Sequence, residues 1–247
     1  MLPSLSPELT GLTAGAPRIA GVDEAGRGPW AGPVVAAAVV LQSRRPFSIR
    51  VDDSKRLTAL QRARAFEVIL EHADVGVGIV CASEIDRRNI FRATMLAMQY
   101  AVEDLPSAPE LVIVDGPHAP LTTVPCRPMI GGDRRCYVVS CASIIAKVVR
   151  DRLMVFYHRL APGYAFHRHK GYGTVLHARR LRQFGPSVFH RHSFRPVLES
   201  IAGVAHDTTI LANPVAAPSA PAQPSQPTPA SVASVVTSEV TVTSPHP

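Results

Sequence analysis

The sequence predicts an α/β fold with a mixed sheet, and three patterns carry that prediction. Apolar runs of strand length come first, at residues 18–22 and 33–41, and a Gly-rich turn joins them as it would two antiparallel strands. Helical periods then alternate with further strand-length runs. One of those runs, residues 111–114, is apolar throughout, as in a strand covered on both faces.

Each later element has its own signal. Thr58 and Gln61 stand at capping-box spacing, and Ala59, Ala63, Phe66 and Leu70 recur at helical intervals, so a helix begins at Thr58. Residues 75–81 form a third strand. Residues 83–86 open a second helix that runs to about 105. A long helix is expected over 140–160, and another over 174–184, ended by Gly185-Pro186. Residues 1–17 read as a flexible N-terminal arm and 18–200 as the folded domain. Residues 201–247, rich in Ala, Pro and Ser, read as a disordered tail whose partner the residues do not name.

The charge belongs to the folded part. All 26 Lys and Arg lie between Arg18 and Arg195, against 15 acids in the same window, a balance of +11 where the whole chain carries +7. Such a field attracts phosphates by counterion release, although a solvated basic surface carries the same signature. Cys81, Cys126, Cys136 and Cys141 show no Cys-x-x-Cys pairing, and no secretory apolar segment precedes them, so reduced, mostly buried thiols are expected. His167, His169, His190 and His192 are interleaved with Arg168, Lys170 and Arg191 and are read as basic surface rather than as metal ligands. No charge-free apolar run is long enough for a membrane span. A soluble, cytoplasmic, monomeric protein is expected.

Four acids stand where a fold gathers side chains from distant segments: Asp23 and Glu24 after the first strand, Asp115 at the end of a central one, and Asp133 ahead of a helix. Clustered carboxylates repel unless cations neutralise them. In a basic protein this pairing points to divalent metals held against a polyanion, and so to metal-dependent phosphodiester hydrolysis.

Gly21-Val22-Asp23-Glu24-Ala25-Gly26-Arg27-Gly28-Pro29, Asp53-Ser54-Lys55-Arg56-Leu57, Val114-Asp115-Gly116, residues 142–148 with Arg150-Asp151, and residues 169–174 together resemble bacterial ribonuclease HII, in family order from about 19 to 196. The resemblance implies a ribonuclease H-like fold: a five-stranded mixed sheet flanked by helices, with a small helical C-terminal region. It implies an active site of Asp23, Glu24, Asp115 and Asp133 holding two divalent ions, Mn²⁺ or Mg²⁺. The implied substrates are RNA–DNA hybrids and duplex DNA carrying a single ribonucleotide, incised on its 5′ side to leave 3′-hydroxyl and 5′-phosphate ends during ribonucleotide removal.

In the family, Gly26, Arg27 and Gly28 correspond to a segment that reads the ribose 2′-hydroxyl, and Tyr172 to a tyrosine that stacks on the sugar at the RNA-to-DNA junction. Lys55, Arg56, Lys147 and Arg150 would then position phosphates, with a solvated helix charge as the alternative for Lys147 and Arg150. Ser143 either orients the site or is a plain helix-start serine. The chain departs from the family where Gly131 replaces a lysine and Pro117-His118 an asparagine, and Arg134-Arg135 is the candidate replacement charge. Competing readings are another metal-dependent nuclease of this superfamily and a silent nucleic-acid-binding protein. Gly26–Gly28 with Tyr172 argues against the first, and the intact carboxylates against the second.

Overall fold

The computed structural model describes residues 18–42 and 47–206, with the side chains of 202–206 excepted. The expected arm, 1–17, and all of the expected tail beyond 206 lie outside the described residues. The stretch expected as one domain divides into two compact units: residues up to Gly28 with Pro33–Arg150, and Pro29–Gly32 with the residues from Asp151 onward.

The first unit is built on a five-stranded mixed sheet in the order β3-β2-β1-β4-β5. β1 (Ile19–Ala25) and β2 (Val34–Leu41) are antiparallel, as the Gly-rich turn predicted, and β3 (Ala73–Val80) pairs antiparallel with β2. β4 (Leu111–Asp115) lies parallel to β1, and β5 (Cys126–Met129) parallel to β4. Every residue of β2 from Val34 to Val40 is buried, which accounts for its unbroken apolar run. β5 carries no such run. It is a four-residue edge strand with exposed Arg127 and Pro128, and Pro is tolerated at an edge because it need not donate to the ladder.

Helix α1 (Ala59–His72) starts with the expected capping box: the Thr58 amide donates to Gln61 Oε1 at 2.9 Å, and the Gln61 amide to Thr58 Oγ1 at 3.2 Å. The single helix expected after residue 83 is two, α2 (Ala82–Arg88) and α3 (Ile90–Glu103). Asn89 breaks it by adopting φ 69°, and its side chain accepts from the Arg92 amide at 3.0 Å to cap α3. α4 (Gly132–Arg135) is one turn, and α5 (Tyr137–Leu160) begins three residues before its expected start. A Cβ at Gly21 would lie 2.4 Å from the Val138 carbonyl carbon, so only glycine there lets the start of α5 cross the face of β1.

The second unit holds α6 (Phe166–His169), α7 (Val175–Phe184) and α8 (Arg195–His206), and an apolar core cluster of Ala31, Met154, Tyr157, Phe166 and Phe189. Arg191 is fully buried there, donating from Nε to Gly32 O at 2.9 Å and from Nη1 to Pro29 O at 2.7 Å. His169 and His190 are buried as well. The basic-surface expectation therefore fails for His169 and Arg191, which bond to backbone groups, and for His190, which bonds to the Ser187 amide and to His177, and holds for the exposed His167 and His192. α8 also crosses the expected start of the tail at 201 and continues to His206. No helix among the described residues is long and apolar enough to cross a membrane.

Candidate active site

Strand register assembles the site. Val22 pairs with Val114 across the parallel β1–β4 ladder, so the next residue of each strand, Asp23 and Asp115, stands beside the other where the ladder ends. Gly21 and Asp23 share a face by the two-residue period, and that is the face α5 crosses at Gly21. Ser143 on α5 thereby reaches Asp23 and donates a hydrogen bond to its carboxylate. The Ser54 and Ser143 hydroxyls are 3.0 Å apart and share a hydrogen bond. Ser143 thus lies in the second turn of α5 rather than at its start, in contact with Asp23.

The third carboxylate comes from α4. Gly131 adopts φ 68° and ψ 34°, a left-handed conformation natural to glycine, and turns the chain into the first turn that carries Asp133. The Gly132 amide donates to Asp115 Oδ1 at 2.7 Å and locks the turn against the end of β4. Asp23, Asp115 and Asp133 each offer a carboxylate oxygen within 4.8 Å of the others. Glu24 lies next to this trio but outside it. Its amide donates to Asp23 Oδ1 at 2.7 Å, while its carboxylate pairs with Arg27 at 3.5 Å.

Burial raises the Asp23 carboxyl well above its ordinary range, and the charges of Glu24 and Asp115 push it further. Burial likewise raises Glu24, with Arg27 opposing. Asp133 is raised by burial and then by Asp115 and Asp53, with Lys55 and Arg134 opposing. Burial would lower Lys55, but the charges of Asp53, Asp23, Asp133 and Asp115 together hold it above its usual value. The cluster is a concentration of negative charge with oxygen donors only. A hard divalent cation fits that donor set and relieves the repulsion.

Asp53 is a further carboxylate that the sequence reading quoted without assigning. It is buried, caps the Ser54–Arg56 turn by accepting from the Lys55 amide at 3.0 Å, and acts electrostatically on both Lys55 and Asp133. Its signal was an Asp at a turn start directly before Ser-Lys.

The sequence profile of ribonuclease HII matches residues 20–197. The chain is 50% identical over 204 residues to ribonuclease HII of Chloroflexus aggregans, covering 81% of this chain and 96% of that one. It is 51% identical over 192 residues to ribonuclease HII of Chlamydia muridarum, covering 77% and 88%. The chain belongs to the ribonuclease HII family. The crystal structure of ribonuclease H2 from Pyrococcus horikoshii superposes with a TM-score of 0.65 at 25% identity, over 76% of this chain and 99% of that one. Membership makes the protein a ribonuclease H endonuclease, and the mixed five-stranded sheet flanked by helices is the fold the resemblance implied.

The remaining residues singled out from sequence differ in what surrounds them. Gly26, at φ 100°, is packed against Arg150 and the Pro33 carbonyl, whereas a Cβ at Gly28 would meet nothing within 4 Å. The open backbone expected of both glycines exists at Gly28. Lys55 and Arg56 are exposed, with Arg56 Nη1 3.1 Å from Asp52 Oδ1, and Lys147 is half-buried. Arg150 is fully buried with Nε donating to Pro33 O at 2.9 Å, so it supports the turn and does not present a surface phosphate contact. The Arg134–Arg135 pair splits: Arg134 Nε lies 3.8 Å from Asp133 Oδ1, while Arg135 Nη1 donates to Ile130 O at 3.3 Å. Tyr172 belongs to the second unit and is 42% exposed, between the buried Gly171 and the exposed Gly173.

Proposed function

We propose that this ribonuclease cleaves the RNA strand of RNA–DNA hybrids and incises duplex DNA on the 5′ side of a single embedded ribonucleotide. The observation that carries the reading is the convergence of Asp23, Asp115 and Asp133 within 4.8 Å in a chain of this family. These three, with Glu24 beside them, would hold two divalent ions, Mn²⁺ or Mg²⁺. Such ions supply an activated water and stabilise the departing 3′ oxygen, which leaves 3′-hydroxyl and 5′-phosphate ends.

The chain's own residues then have separate tasks. Ser143 and the Gly132 amide fix the Asp23 and Asp115 carboxylates, so little reorganisation is needed when ions and substrate arrive. The open backbone of Gly28 offers both a donor and an acceptor to a ribose 2′-hydroxyl, with Arg27 as a phosphate contact. Lys55, Arg56 and Lys147 serve as sequence-independent phosphate contacts. The exposed Tyr172 ring stacks on the deoxyribose that follows the ribonucleotide.

The test is a DNA duplex carrying one ribonucleotide, incubated with the protein and Mg²⁺ or Mn²⁺, with the nick mapped. Tyr172→Ala is compared with the wild type on this duplex and on an all-RNA hybrid at fixed salt. Stacking worth ~1–3 kcal/mol should be lost on the single ribonucleotide, with little change in binding, which phosphate contacts dominate. Equal loss on both substrates, or a wild type that ignores the single ribonucleotide, would leave a general hybrid nuclease.

A further inference from the structure

Three imidazoles cluster in the second unit, and none belongs to the carboxylate site. His169 stacks on His177 with ring centroids 4.3 Å apart, and His177 Nε2 lies 3.1 Å from His190 Nε2. Two ring nitrogens can share one hydrogen bond only if one carries the proton and the other a lone pair. The outer contacts decide which.

The Ser187 amide, which can only donate, lies 2.9 Å from His190 Nδ1. That nitrogen is therefore the acceptor, and neutral His190 carries its proton on Nε2. His190 Nε2–H donates to His177 Nε2, which must in turn be a bare acceptor. The His177 proton then sits on Nδ1, 2.9 Å from the Tyr172 carbonyl, which can only accept. The chain of donors has one direction, from Ser187 through both rings to Tyr172. His169 obeys the same logic: the Gly171 amide donates to Nδ1 at 3.2 Å, and Nε2–H donates to the Tyr164 carbonyl at 2.9 Å.

We infer that His177 and His190 are positioning residues, a neutral relay of fixed direction that holds the Gly171-Tyr172-Gly173 turn in the geometry presenting the Tyr172 ring to substrate. Imidazoles grip the turn at the Gly171 amide and the Tyr172 carbonyl. Its other side is closed by Trp30, whose amide donates to Gly171 O at 2.8 Å and whose ring would lie 2.2 Å from a Cβ at Gly173. A second proton on either imidazole would set N–H against N–H, so the relay works only when both are neutral. Burial favours that state for both rings. The groups facing the pair are His169, His192 and the Tyr164 and Trp30 rings.

The role in catalysis rests on the substrate reading of Tyr172, but the relay is measurable without it. ¹⁵N-correlated imidazole spectra of the full chain at neutral pH should show the Nδ1–H tautomer for His177 and Nε2–H for His190 and His169. His177 as Nε2–H, or as imidazolium, overturns the relay. In turnover, His190→Phe should lower kcat for the single-ribonucleotide duplex about tenfold with KM nearly kept, as loss of the Tyr172 contact would. His190→Gln, which keeps a donor toward His177, should restore most of it. A kcat unmoved by His190→Phe while Tyr172→Ala lowers it overturns the positioning role. A kcat unmoved by Tyr172→Ala itself overturns the substrate reading of Tyr172 and its use here, and leaves the tautomers to judge the relay. If His190→Phe does not fold, His190→Gln and the tautomers still decide.

Discussion

A Cβ at Gly26 would lie 2.1 Å from Nε of the fully buried Arg150, so the arginine occupies the volume that the glycine leaves free. The two glycines of Gly26-Arg27-Gly28 therefore have opposite tolerances. Gly26→Ala adds left-handed strain at φ 100° to a clash with a buried guanidinium and should cost about 2–4 kcal/mol of stability. Gly28→Ala, pointing into open space, should leave stability within about 0.5 kcal/mol. Its methyl group would nonetheless obstruct a ribose approaching the Gly28 backbone, and incision at a single ribonucleotide should fall about tenfold or more. Thermal melts and incision rates of both variants check this. A Gly28→Ala enzyme with unchanged incision would remove Gly28 from the sugar contact.

The strand ends were legible in the sequence because the carboxylates follow apolar runs whose pattern has one structural solution. The register that sets Asp23 beside Asp115 was not, since nothing in a single chain states which strands pair in parallel. β5 escaped because Cys126-Arg127-Pro128-Met129 has neither alternation nor an apolar run, and its edge position demands neither. The histidines misled for a different reason. His169 and His190 sit among Arg and Lys in sequence, yet His169 is satisfied by backbone groups and His190 by the Ser187 amide and the His177 ring, and burial of an imidazole depends on partners that composition does not reveal.

Asp115→Asn should fold and bind hybrid duplex, because the amide oxygen can still accept from the Gly132 N–H. What it loses is the charge that would hold a divalent ion, a deficit of several kcal/mol in the transition state and hence orders of magnitude in rate. Single-turnover cleavage at saturating Mg²⁺, alongside a binding isotherm, tests it. Near-normal turnover would refute the metal assignment.

Truncation should be tolerated after His206 and not after Ser200. Residues 207–247 contain no Phe, Trp or Tyr and no Lys or Arg, so their composition offers no aromatic side chain to a core and no Lys or Arg to a phosphate. Residues 201–206, however, complete α8, which anchors through the fully buried Val197. The six residues left by a cut at 200 are too few to hold a helix on their own. A chain ending at 206 should melt with the full chain, and one ending at 200 a few degrees lower. Identical melts for both would show that α8 contributes nothing beyond its first turn and a half.

Acid should weaken the fold through the histidine relay. Burial, with the neighbouring histidines, pushes His177 down to about 4 and His190 to about 3, from an ordinary value of 6.5. Above that ordinary value both rings are neutral folded and unfolded, so they give no pH dependence. As the pH falls below it, the unfolded chain takes up protons that the native rings refuse, and stability drops by up to ~1.4 kcal/mol per pH unit per ring until the native rings titrate. The raised carboxylates Asp23, Glu24 and Asp133 act in the opposite sense, since the native state binds their protons first. The difference between wild type and His177→Gln/His190→Gln isolates the histidines. Trp30 is the single tryptophan and lies 5.3 Å from the His177 ring, so its emission reports both unfolding and imidazole protonation. Denaturation followed by that emission should show wild-type stability falling more steeply than the double variant's between pH 6.5 and 4.5. Parallel curves would mean that the relay is not neutral at pH 7, or that its burial carries no penalty for charge.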